Sequence, residues 1–212
     1  WIGKSKGATI KFKIKNSEQE IEVFTTRPDT LFGVTFMNLA PEHELVLKIA
    51  NRNQIKKIRQ YIDEVSNKSD LERITENQII SGLFTGAYAI HPLTSENIPI
   101  WISDYVLAGY GTGAVMAVPC GDDRDYSFAK KFGIPIKNIF KNIDISESAF
   151  IQKKGFKLKN SKILDGLNFD QAYMKIIKHI ETLGCGKETV NYKIRDSIFS
   201  RQRYWGEPIP IY

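Results

Sequence analysis

Two runs of strict alternation, "ATIKFKI" at 8–14 and "EIEVFT" at 20–25, constrain this chain more than any other feature. Apolar and polar residues exchange at every step in both, and "KNSEQ" between them supplies turn formers, so the pair reads as a β-hairpin. "GAYAIHP" and "IPIWISDYVL" flank a second turn cluster, "LTSEN", and read as another hairpin. "GVTFMNLA" and "AVMAV" add two further strand candidates. Hairpins of this kind predict antiparallel pairing rather than the parallel sheet of alternating strands and helices.

Helical spacing enters between the strands. Leu45, Ile49, Ile55, Ile58 and Ile62 predict two helices broken near Asn51–Asn53. "DDRDYSFAKKFG" at 122–133 carries an N-cap aspartate, an acidic first turn, lysines in the last turn and a closing glycine. Phe169, Tyr173, Ile176, Ile177 and Ile180 mark a later helix. The expected fold is α+β: a mixed, mostly antiparallel, barrel-like sheet with inserted helices.

Composition excludes several classes. Of 212 residues 42% are hydrophobic and 25% charged, as in ordinary globular proteins, and no apolar stretch approaches the roughly 20 residues of a membrane helix. Cys120 and Cys185 are the only cysteines and there are three histidines, so neither a disulfide framework nor a metal site is readable and a cytoplasmic location is expected. A formal charge of +6 favours a polyanionic partner. The lysines of "KKGFKLKNSK" at 153–162 read first as a solvated face or mobile loop. The glycines of "GYGTGAVMAVP" do not form a dinucleotide fingerprint, because a strand follows them where that motif requires a helix.

Chemistry-bearing side chains concentrate at two strand ends. In "TTRPDT" at 25–30, Pro28 restricts Arg27 toward extended geometry, while Asp29 and the threonine hydroxyls can cap a turn or serve a site. In "GDDRD", Asp122 and Asp125 have the spacing of a capping box, but a carboxylate left free at that junction would anchor an ammonium by about 1.5–3 kcal/mol. His43, His91 and His179 accompany no nucleophile motif, so no serine-type triad is readable.

The segments "WIGKSKG", "TTRPDTLFG", "GYGTGAVMAVP", "DDRD" and "SRQRYWGEPIP", in this order, resemble the editing domain of bacterial-type leucyl-tRNA synthetases from Trp1 to Tyr212. The resemblance implies a 1–212 editing domain, with 1–7 and 195–212 connecting it to a synthetase catalytic core that lies outside this sequence. It implies hydrolysis of the ester of leucine tRNA mischarged with norvaline, isoleucine or similar amino acids, within an ATP-dependent leucine–tRNA ligase. The implied partners are the tRNA acceptor end with its terminal adenosine and the rest of the synthetase in cis. No cofactor is expected for editing, ATP belonging to the synthetic core alone, and no metal, no membrane and a monomeric state are expected.

Residue by residue, the resemblance makes Thr30 the specificity gate that crowds out a γ-branched side chain. It implies that Met116 and Val118 line the pocket, that Asp125 grips the substrate ammonium, and that Thr25, Thr26 and Arg27 surround the ester and adenosine with Tyr110 and Asp122 nearby. Thr25 and Thr26 would orient water or the carbonyl oxygen, since threonine is a poor base and an ester is already activated. Gly121 departs from the histidine that many relatives carry there, which removes any part an imidazole would play. A non-catalytic module binding the tRNA acceptor end is the alternative.

Overall fold

The computed structural model describes residues 2–69, 72–73, 80–109 and 111–194. The expected first hairpin forms from β1 (Ile2–Ile14) and β2 (Glu20–Thr25), antiparallel from Ala8↔Thr25 to Lys13↔Glu20. Its alternation works as a period of two requires: Ile10, Phe12, Ile21 and Val23 are fully buried while Lys11, Lys13 and Glu22 face solvent. Each such large apolar side chain contributes about 1.5–3 kcal/mol by leaving water.

The second hairpin joins β4 (Gly82–Ile90) to β5 (Asn97–Ser103), with β3 (Phe36–Leu39) preceding both in the chain. Its register shifts between Phe84 and Tyr88, around Gly86 at φ 81°. A Cβ there would stand 2.6 Å from the Asn51 Cβ, so both backbone and space require glycine. β6 (Ala114–Ala117) completes the order β2-β1-β4-β5-β3-β6, and β7 (Gly186–Ile194) pairs with β1. Among the described residues, only the β3–β5 pair in this seven-stranded sheet is parallel. β2 and β6, the ends of the path, lie against each other, as a barrel-like sheet demands.

Two differences from the sequence reading concern β7 and β1. β7 is not legible as a strand, and Ile2–Gly7, expected as a segment leading from the synthetase core, continues β1 and pairs along Thr189–Ile194. Trp1 and residues 195–212 lie outside the described residues.

The helices whose bounds lie among the described residues are α1 (Val46–Ile49), α2 (Ile55–Ser66), α3 (Asp123–Phe132) and α4 (Phe169–Thr182), the first two broken where Asn51–Asn53 predicts. α3 buries Phe128 in ring contact with Phe36, Trp101 and Phe132. Gly133 ends it in the left-handed conformation at φ 65°. α4 opens on a capping box of Asn168 and Gln171 and buries Ala172, Ile176, Ile177 and Ile180. Between these helices, 134–168 is mostly irregular but tied down: Phe140, Phe150 and Phe156 meet edge to face at 5.0–5.8 Å. The lysine-rich stretch is therefore more than a solvated face, since Phe156 and Leu158 are buried between its lysines.

Candidate active site

The peptide "TTRPDT" leaves β2 and folds into a 3-10 turn, Pro28–Gly33, with proline at its start where a missing N–H costs nothing. The Thr25 hydroxyl accepts from the Arg27 N–H at 3.0 Å. The Thr30 N–H and hydroxyl both donate to the Arg27 carbonyl, at 3.1 and 2.9 Å. Arg27 stops short of extended backbone, at φ −123° and ψ 57°.

Asp29 does not cap turn amides with its carboxylate. It is fully buried and receives Nε and Nη2 of Arg27 at 2.9 and 2.8 Å, a forked pair that satisfies a charge otherwise expensive to bury. The guanidinium also lies over the rings of Phe156 and Phe169, 5.7 and 5.4 Å from their centroids. Arg27 is thus held from three sides before any substrate arrives.

The turn abuts the segment joining β6 to α3. A Cβ added to Gly33 would stand 3.1 Å from Val118 Cγ1 and 3.3 Å from Cys120 Sγ, so the turn that begins with "TTRPDT" meets the segment leading into "GDDRD" here. Cys120 is fully buried, and burial raises its thiol to about 11, leaving it protonated and unreactive at neutral pH.

At the start of α3, Asp122 caps the helix by accepting from the Arg124 and Asp125 amides at 2.9 and 3.1 Å. Asp125 does not close the reciprocal half of a capping box. Its oxygens turn inward, accepting from the Tyr105 hydroxyl at 2.9 Å and the Val118 N–H at 2.8 Å. Tyr105 in turn accepts from Asn38 Nδ2 at 2.9 Å, a chain reaching from β3 to α3. Burial, with the Asp122 carboxylate close by, raises the Asp125 carboxyl to about 7, although the two hydrogen bonds pull the other way. A carboxyl so poised can accept a cation and recover by ion pairing what burial removed.

Asp125, Asp122, Arg124 and Val115 line a cleft of about 390 Å³ with Tyr105, Val106 and Leu107. Thr26, exposed, lines a separate cleft of about 350 Å³ with Lys6, Lys153, Phe169, Asp170, Tyr173 and Met174. Thr25 is half-buried and Thr30 only 3% exposed. Met116 and Val118 belong to the hydrophobic core, and the strand's exposed residue on the first cleft is Val115. Tyr110 lies outside the described residues. Tyr105, Asn38 and Val115 escaped the sequence reading; a tyrosine at the end of a predicted strand carries no motif, and its proximity to Asp125 exists only in the fold.

Among the described residues no group of three or more His, Cys, Asp or Glu is placed to hold a metal, and no helix is long and apolar enough to cross a membrane.

The family model described as "Leucyl-tRNA synthetase, editing domain" matches residues 1–181. The curated leucine–tRNA ligases of Flavobacterium johnsoniae and Christiangramia forsetii are 57% and 56% identical to this chain over its whole length. The chain spans 23% and 22% of those two relatives. A crystal structure of the ternary LeuRS-tRNA-LeuAMS complex from Agrobacterium radiobacter superposes with a TM-score of 0.70 at 31% identity, covering 92% of this chain and 21% of that one.

Proposed function

We propose, from the premise that this chain belongs to the leucyl-tRNA synthetase editing-domain family, that it hydrolyses the ester joining a wrong amino acid to leucine tRNA. The intact protein is then a leucine–tRNA ligase, like the relatives of which this chain spans less than a quarter. An apolar pocket distinguishes amino acids differing by one methylene by only about 1–3 kcal/mol, the general reason synthetases of this kind use a second, hydrolytic site.

The observation that supports this reading most is Asp125: a buried carboxyl facing a cleft, held by two donors, and with no hydrogen bond or ion pair to a cation among the described residues. It suits the α-ammonium of an aminoacyl ester. Thr30, fixed twice to the Arg27 carbonyl, serves as the gate against the γ-branched leucyl group. Thr25, half-buried at the end of β2, and Thr26, which opens on the second cleft, are assigned to orienting the attacking water or the ester carbonyl of a substrate that reaches both clefts, and Arg27, fastened to Asp29, acts through the shape of the turn. Met116 and Val118 support the pocket wall from the core, while Asp122 sets the start of α3. Hydrolysis needs no cofactor on this reading, ATP serving only the ligase reaction elsewhere in the protein. A vicinal ribose hydroxyl of the substrate we assign as the relay that assists transfer of the water proton to the leaving ribose oxygen.

The test is incubation of the intact protein with isoleucyl- or norvalyl-charged leucine tRNA. Release of free amino acid supports hydrolysis. Retention of the ester on bound tRNA would replace it with the alternative, a module that only holds the acceptor end, for which the net positive charge is the supporting observation.

A further inference from the structure

His91 begins the turn between β4 and β5 and is 1% exposed. Its ring packs parallel to Phe32 and edge-on to Phe12, with centroids 6.2 Å away in both cases. Nδ1 accepts from the Leu93 and Thr94 backbone amides at 3.1 and 3.2 Å. Amides only donate, so Nδ1 carries a lone pair and the proton resides on Nε2. Nε2 therefore donates to the Leu31 carbonyl, 2.9 Å away. Burial also lowers the basicity of the ring, which keeps it neutral.

Leu31 follows Thr30 directly. The hydrogen bonds of Thr30 run to Arg27 and the forked pair joins Arg27 to Asp29, so these ties stay inside the 25–30 peptide, which otherwise meets the fold through the pairing of Thr25 with Ala8 and the rings of Phe156 and Phe169 beneath Arg27. The bond from His91 comes from outside that peptide, sixty residues further along the chain, and fastens the turn to the sheet.

We propose that His91 is a positioning residue for substrate discrimination: its Nε2–H holds the Leu31 peptide so that Thr30 stands at the depth where it excludes a leucyl side chain. This rests on the reading of Thr30 as the gate. A steric gate acts over the size of one methyl group, so a loosened turn relaxes selection before it abolishes hydrolysis.

The two ring nitrogens can be tested apart in the intact protein. His91→Asn keeps an acceptor for the Leu93 and Thr94 amides and loses the donor to Leu31; His91→Gln keeps a donor of suitable reach and loses the acceptor. The readout is the ratio of kcat/KM for leucyl-tRNA to that for isoleucyl-tRNA. His91→Asn is expected to raise this ratio about tenfold, within the range a methyl-sized contact supplies, and His91→Gln to return it toward the unsubstituted value. An unchanged ratio in His91→Asn, or both variants losing both activities in proportion, overturns the proposal. Thr30→Ala in parallel separates the premises: if it admits leucyl ester and His91→Asn does not, His91 alone is misassigned; if it does not, the gate reading falls as well. Nitrogen-15 NMR of histidine-labelled unsubstituted protein supplies a check that needs no variant. A neutral Nε2–H tautomer at pH 7 agrees with the proposal, and an Nδ1–H tautomer contradicts it.

Discussion

Tyr105 donates its hydroxyl proton to Asp125 across 2.9 Å and accepts one from Asn38 at the same distance. The first bond stabilises the ionised carboxylate against burial, which alone would keep it protonated. The carboxyl at about 7 predicts an acid limb near that pH in kcat/KM for noncognate ester hydrolysis, activity rising as Asp125 ionises. Removing the bond with Tyr105→Phe should move the limb upward by about one pH unit, since a hydrogen bond to a charged group is worth roughly 1.5–3 kcal/mol. A pH profile of the two proteins measures both.

The same carboxyl couples folding to pH with a definite sign. Its folded value lies above the ordinary aspartate value of 3.8, so the native state holds the extra proton between about 4 and 7. Asp125 therefore favours folding at the low end of that window and opposes it progressively as pH rises through it. Asp125→Asn should flatten this part of the stability profile, read from denaturant midpoints at matched pH values.

Arg27→Ala strands the fully buried Asp29 carboxylate. Breaking a buried pair from one side costs about 3–5 kcal/mol, and the denaturation midpoint should fall accordingly. Arg27→Ala with Asp29→Asn should recover part of the loss, because no uncompensated charge remains.

Gly121 occupies no left-handed backbone, and an added Cβ would meet Phe140 and Val118 at an ordinary 3.7 Å. Gly121→His should fold with a stability within about 1 kcal/mol of the parent, as is usual where no cavity, clash or special backbone is involved. Differential scanning measures that, and deacylation rates show whether the added imidazole changes editing.

What the sequence revealed and what it concealed divide along physical lines. Both hairpins, β3, β6 and the main helices were legible because each buries one face and so writes a period of two or 3.6 into the chain. β7 buries almost nothing: Lys187, Glu188, Val190, Asn191 and Tyr192 are exposed, and its pairing with β1 rests on backbone hydrogen bonds and on polar contacts such as Thr9–Thr189 and Lys6–Glu188, none of which writes an apolar period. The parallel β3–β5 contact was hidden because the strands are adjacent only after folding. In the site, Asp122 and its cap were readable from spacing, whereas Tyr105 above Asp125 and His91 behind Leu31 depend on contacts twenty and sixty residues apart. Local rules left Asp29 open between a turn cap and a site residue for a related reason: its short-range appearance fits either, and only burial explains why it takes the guanidinium.

The role of Asp125 as an ammonium anchor is tested most directly by crossing Asp125→Ala with removal of the amine. Deacylation of isoleucyl-tRNA by the intact protein is compared with that of the same tRNA carrying the hydroxy-acid analogue, which has the side chain and ester but no ammonium. Asp125→Ala should slow the amino ester by at least about a hundredfold, the scale of a lost buried ion contact, and barely change the hydroxy ester. Equal losses on both substrates, or none on either, would contradict it.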